Sequence, residues 1–195
     1  NPGARPVESA VWHPTHLGRC AHRFDRSSLY HGYMHILVTA ASKHGATDEV
    51  ADAIAKRLEA ADFTVDRLAP ADVTTVDPYD AVVVGSAVYI LQWMPEAHEF
   101  MERFKDQLRD KQVWAFSVGM NGVPKHSEQD GNRVGPLLTH VNCRELRTFP
   151  GRYKPALLSL RERSIARLAG VVEGDFRDWD AIDAWADEIA AQLRA

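Results

Sequence analysis

Cysteine is scarce in this chain: Cys20 and Cys143 are its two thiols. Two cysteines cannot build a disulfide framework, and these lack the spacing of a metal site, so reduced thiols in a cytosolic protein are expected. No apolar run approaches the roughly 18 residues that a bilayer span requires. The N-terminal stretch has no apolar core of the kind a secretory signal carries. A basic excess is missing too. The net charge of −4 gives no support to nucleic-acid binding. Several motifs are absent. Without G-x-x-x-x-G-K-[ST] a P-loop is not expected, and without G-x-G-x-x-G the dinucleotide fingerprint is missing. No H-E-x-x-H or cysteine cluster suggests a metal, and no G-x-S-x-G suggests a hydrolase elbow.

What remains is an ordinary globular composition, 45% hydrophobic and 26% charged. A length of 195 residues suits one domain. Residues 1–33 differ from the rest. They scatter His, Arg, Pro and Ser with no helix or strand period. They are expected to be a disordered extension ahead of a domain at 34–195, with Met34 as the physiological start.

Residues 35–58 organise the domain. A short apolar run, Ile36 to Ala41, is followed by a polar loop and then by Val50, Ile54 and Leu58 at four-residue steps. That is a strand, a loop and an amphipathic helix. The first N–H groups of a helix lack partners within it, and the aligned peptide dipoles add positive charge there. The loop is therefore a place for a phosphate. Ser42 and Thr47 add hydroxyls, Lys43 a cation, and His44 and Ala46 complete it. Gly45 permits positive φ and close approach of a ligand.

The pattern then alternates. The helix is predicted over 47–61 and an edge strand over 63–68, with a polar connection over 70–78. The run 80–86 (DAVVVGS) reads as a strand buried on both faces, as parallel sheets require. A helix using Ala97, Phe100, Phe104 and Leu108 follows Pro95. Strands are predicted at 113–118 and 145–149, with a helix over 126–141 between them. A C-terminal helix is predicted with Phe176, Trp179, Ile182, Trp185, Ile189 and Leu193 on one face. Strands alternating with helices imply an α/β domain with a parallel sheet and helices on both faces. Five strands in the doubly wound order 2-1-3-4-5 is the natural arrangement. It places ligands at the carboxyl ends of the strands beside the first one.

The loop Ser42-x-x-Gly45-x-Thr47 resembles the phosphate loop of flavodoxins, with His44 where many have threonine. The resemblance implies a flavodoxin-like fold and FMN as cofactor. A second loop, over 85–93, would flank the flavin ring. Ser86, Ala87 and Val88 would line it, and Tyr89 and Trp93 would stack. Ser117 and Gly119, in the run 117–121, would form a third wall. SKHGAT, VVVGSAVY, Trp93-Met94-Pro95-Glu96 and GDFRDWDAIDAWA together resemble the flavodoxin-domain family that includes the menaquinone-dependent protoporphyrinogen IX dehydrogenases. That resemblance implies heme biosynthesis, with FMN taking reducing equivalents from a porphyrinogen and passing them to a quinone. Leu91 stands where that enzyme's pattern expects glycine. No catalytic acid or base is nominated. His44 is expected to be a phosphate or surface contact, and His126 a solvated loop residue.

Residues 144–168 carry Arg144, Arg147, Arg152, Lys154, Arg161, Arg163 and Arg167 against Glu145 and Glu162, with leucines interleaved. The leading expectation is a solvated helix covering the sheet. The same composition suits an anionic membrane surface or porphyrin propionates. Three other functions stay open: an electron carrier without its own substrate, an NAD(P)H-linked quinone reductase, and a regulatory module without flavin. The expected location is cytoplasmic, at most peripheral to the inner face of the cell membrane.

Overall fold

The computed structural model describes residues 34–89, 92–119, 135–168 and 170–195. Five parallel strands form the main sheet: β1 (His35–Ala41), β2 (Thr64–Leu68), β3 (Ala81–Tyr89), β5 (Gln112–Gly119) and β6 (Cys143–Pro150). Their spatial order is β2-β1-β3-β5-β6. A two-residue strand, β4 (Gln92–Trp93), pairs antiparallel with the end of β3. Setting that hairpin aside, the order is the doubly wound one expected from the alternation.

The strands read as they do because both faces are covered. Ile36, Val38 and Ala40 of β1 face a core shared with helix α1 (Ala46–Ala60) and helix α5 (Trp179–Arg194). Leu37 and Ala41 face a second core, built on helix α2 (Pro95–Leu108). Val50, Ile54 and Leu58 of α1 are fully buried. Each such side chain contributes about 1.5–3 kcal/mol of hydrophobic stabilisation. Pro95 starts α2 at a position where its missing N–H has no helical partner to lose. Asp178 caps α5, its carboxylate accepting from the Ala181 N–H at 3.0 Å.

Some boundaries differ from expectation. β3 runs on to Tyr89, so Ser86, Ala87, Val88 and Tyr89 lie on a strand rather than in a loop. The 70–78 connection is polar in composition, yet Val73 and Val76 are buried in the α2 core. Of the helix expected over 126–141, the described part is the four-residue α3 (Gly135–Leu138); 126–134 lie outside the described residues. Phe176 precedes α5, and Trp179 is 41% exposed, so the buried face of that helix starts at Ile182. Asp178 at the N-cap leaves Trp179 on the first, outward-turned position.

The basic 144–168 segment is not one helix over the sheet. Its first part is β6. The chain then makes an excursion that an antiparallel pair closes at its base: β7 (Arg152–Tyr153) against β8 (Gly174–Asp175). Between them come a 3-10 turn (Pro155–Leu157) and helix α4 (Leu160–Leu168). Residues 1–33 lie outside the described residues.

Candidate functional site

β1 ends at Ala41, and α1 begins five residues later. The chain reverses between them through Gly45, which sits at the α1 N-cap with φ of 80°. A residue with a Cβ resists that left-handed conformation, and glycine accepts it freely. The Ser42 hydroxyl accepts the Gly45 N–H at 3.1 Å and fixes the turn. Thr47 is buried in the first turn of α1. The following N–H groups belong to the open end of a fifteen-residue helix. Lys43 and His44 stand beside them. His44 Nε2 is buried and has no hydrogen-bond partner among the described residues, although a carboxylate oxygen of Glu162 lies 3.9 Å away. A buried nitrogen without a partner beside a helix start could serve an anion as a donor.

The excursion after β6 brings three more charged groups to the loop. The Arg152 guanidinium lies 4.0 Å from where a Cβ on Gly45 would sit. It pairs with Glu49 in the first turn of α1 at 2.8 Å. Arg177 also pairs with Glu49, at 2.7 Å, and forks onto Asp175 at 2.8 and 2.6 Å. Its side chain is 3% exposed, and the Trp179 ring lies 4.5 Å from the guanidinium carbon. These guanidinium groups, Arg177 first and then Arg152, hold the Glu49 carboxyl below its ordinary range. Arg177 does the same to Asp175. The third group is Glu162 of α4, whose carboxylate lies 2.5 Å from Lys43 Nζ. Lys43 first, and then the Ser159 N–H and hydroxyl, hold its pKa down to about 2.

The other expected ligand positions fall into two groups. Ala87 and Val88 are half-buried at the carboxyl end of β3, and Gly119 ends β5 beside them in the sheet. These lie at the carboxyl edge of the sheet, as does the loop after β1. Ser86, Ser117 and Trp93 do not offer their polar atoms to that edge. Ser86 is fully buried; its hydroxyl accepts the Met94 N–H and donates to the Ala87 carbonyl, each at 2.8 Å. Trp93 is 3% exposed and donates its indole N–H to Ser117 Oγ at 2.8 Å. It packs in the α2 core, so it is the support behind the second loop and not a stacking surface. The β3–β4 hairpin turned it inward, and its sequence position alone could not show that. Tyr89 ends β3. Residues 90–91 and 120–134, with His126, lie outside the described residues.

Sequence reasoning missed Arg152, Arg177 and Glu162 as neighbours of the loop. The run Ser159-x-x-Glu162 is a capping box and could have placed Glu162 at a helix start. No local signal named the loop it meets.

The sequence matches the family described as a flavodoxin domain over residues 37–178. The chain belongs to that family. Its structure is similar to flavodoxins from Streptococcus pneumonia TIGR4 and Bacillus cereus. For the first, the TM-score is 0.57 at 16% identity, over 81% of this chain and 99% of that one. For the second, it is 0.57 at 15% identity, over 82% and 99%. It is also similar to part of the rubredoxin oxygen:oxidoreductase of Desulfovibrio gigas, with a TM-score of 0.56 at 14% identity. That match covers 82% of this chain and 36% of the longer one. Comparison of the sequence with curated proteins returns no match. Flavodoxin-domain membership makes FMN the cofactor and electron transfer the coarse function. The loop fits that group: a left-handed glycine at the N-cap, an orphaned His44 Nε2 and the Lys43 cation would hold its phosphate. Among the described residues no helix is long and apolar enough to cross a membrane.

Proposed function

We propose that this flavodoxin-domain protein is an FMN-dependent oxidoreductase that moves electrons from a porphyrinogen to a quinone, in heme biosynthesis. The excursion beside the phosphate loop is the observation that supports this reading. Its surface carries exposed Lys154, Arg161, Arg163 and Arg167. It also carries exposed Leu157, Leu160, Leu168 and Val172. Large exposed apolar side chains interleaved with arginines suit an amphiphilic ligand that is apolar in its body and anionic at its edge. A porphyrinogen with its carboxylates has that character, and arginine forks pair well with carboxylates. The same surface suits an anionic lipid headgroup layer, where a quinone resides.

The cofactor supplies reversible acceptance of electrons and hydride when bound. The chain supplies the rest. Lys43, His44 and the open end of α1 anchor the phosphate. Glu49 holds Arg152 and Arg177 at the first turn of α1. Ala87, Val88 and Gly119 border the space beyond the strands. Each pair of electrons and protons that the porphyrinogen loses is gained by one quinone as it becomes a quinol, so full oxidation of a porphyrinogen to a porphyrin, a loss of six hydrogens, reduces three quinones.

Anaerobic mixing of the FMN-loaded protein with protoporphyrinogen, then with a menaquinone analogue, tests the reading. Bleaching of the flavin band followed by its return supports it. A flavin that the porphyrinogen leaves oxidised, but that a protein electron donor reduces, overturns it in favour of an electron carrier with no small-molecule substrate.

A further inference from the structure

Helix α4 has two faces. Leu160 and Leu168 point outward and are 80% and 89% exposed. Glu162 lies on the other side of the helical wheel, with its side chain 11% exposed. It does two things at once. One carboxylate oxygen accepts the Ser159 N–H and hydroxyl, each at 2.8 Å, and this caps α4. The other lies 2.5 Å from Lys43 Nζ on the phosphate loop. Among the described residues α4 has no extensive packing against another helix or strand. The ion pair to Lys43 thus ties α4 to the loop, beside the pairs that Arg152 and Arg177 make with Glu49 at the base of the excursion.

A carboxylate at Lys43 and a phosphate at the same loop are both anions seeking one cation. Their mutual repulsion at contact range disfavours holding both there. We infer that Glu162 is a resident anion of the phosphate loop, which the phosphate of the nucleotide displaces, so that cofactor binding frees α4 and the excursion over 154–173 from Lys43. This rests on the FMN reading above. Its consequence is coupling: a loaded loop has a loosened excursion, and a tethered excursion weakens phosphate binding. Such coupling is reciprocal. His44 Nε2, left without a hydrogen bond while Glu162 holds Lys43, is the second donor that a phosphate would satisfy and Glu162 does not.

Hydrogen exchange by mass spectrometry on the full chain tests this, alone and with FMN, riboflavin or inorganic phosphate, in wild type and Glu162→Gln. FMN and saturating inorganic phosphate should each speed exchange across 154–173, whereas riboflavin, which lacks the phosphate, should not. Glu162→Gln should exchange fast there without any ligand and bind FMN about fivefold tighter or more, the low end of ordinary coupling. Wild type that binds FMN with unchanged or slower exchange at 154–173, together with unchanged FMN affinity in Glu162→Gln, overturns the inference and leaves the cofactor reading intact. Failure of both chains to bind FMN overturns the cofactor reading itself, and the inference with it.

Discussion

The indole N–H of Trp93 donates to Ser117 Oγ at 2.8 Å, joining β4 to β5 beside the α2 core. This bond ties the second loop of the crevice to the strand that carries the third. Replacing Ser117 with alanine strands a buried N–H, which costs about 1–3 kcal/mol. Urea unfolding of Ser117→Ala should show that loss. The absorption band of bound FMN should not move, because Trp93 is buried in the α2 core. A shifted band in Ser117→Ala or Trp93→Phe would return Trp93 to the ring.

Gly85 and Phe116 are paired across β3 and β5, and the Phe116 ring lies where a side chain at 85 would go. A Cβ there would sit 2.1 Å from Phe116 Cζ. Gly85→Ala should therefore destabilise by about 1–3 kcal/mol, the usual cost of overpacking. The ring also meets Trp185 edge-on and Phe149 at a tilt, so it has little room to retreat. Combining Gly85→Ala with Phe116→Leu should lose less stability than the two single changes added, since neighbours in contact are not additive. Additive losses in denaturant titrations would contradict this packing account.

The layered fold was legible because its signals are local. Ile36 to Ala41 and Ala81 to Ser86 are near-continuous apolar runs, and Val50, Ile54 and Leu58 keep helical spacing, so period alone names the elements. The candidate phosphate loop is named by the same kind of local signal: Ser42, Gly45 and Thr47 lie within six residues of each other. The opposite side of the site was not. Glu49 meets Arg152 and Arg177 more than a hundred residues away, and Lys43 meets Glu162 at similar range. Arginines in a row carry no mark of which carboxylate they will face. Trp93 failed for another reason. Aromatic residues near a crevice fit core and ligand face equally well by sequence, and the β4 hairpin decided the matter.

Acid should loosen α4 through Glu162. Its carboxyl titrates near 2 in the folded chain, against an ordinary 4.5. A depressed pKa contributes stability that is full above about 4.5 and is lost as pH falls toward 2. Brief pepsin digestion between pH 4.5 and 2 should cut within 154–173 progressively faster as the pH drops. In Glu162→Gln the cutting should be fast across that range with a much flatter slope. The same slope in both proteins would show that Glu162 is not what tethers α4 to the loop.

The outward face of α4 makes a separate prediction. Wild-type protein should co-pellet with liposomes rich in phosphatidylglycerol and less with neutral phosphatidylcholine, and salt should weaken the association. An Arg161/Arg163/Arg167→Glu variant should stay in the supernatant. Leu160→Gln with Leu168→Gln should reduce binding without changing its salt dependence. Equal, salt-insensitive partitioning of all three would end the lipid-surface proposal.

Everything about the site turns on the loop between β1 and α1 holding a phosphate. Calorimetric titration of wild-type protein with FMN and with riboflavin measures that directly. FMN should bind at least about tenfold more tightly, a difference of about 1.4 kcal/mol, because the open end of α1, Lys43 and His44 act on the phosphate alone. Equal affinity for the two, or no heat with either, would contradict the account.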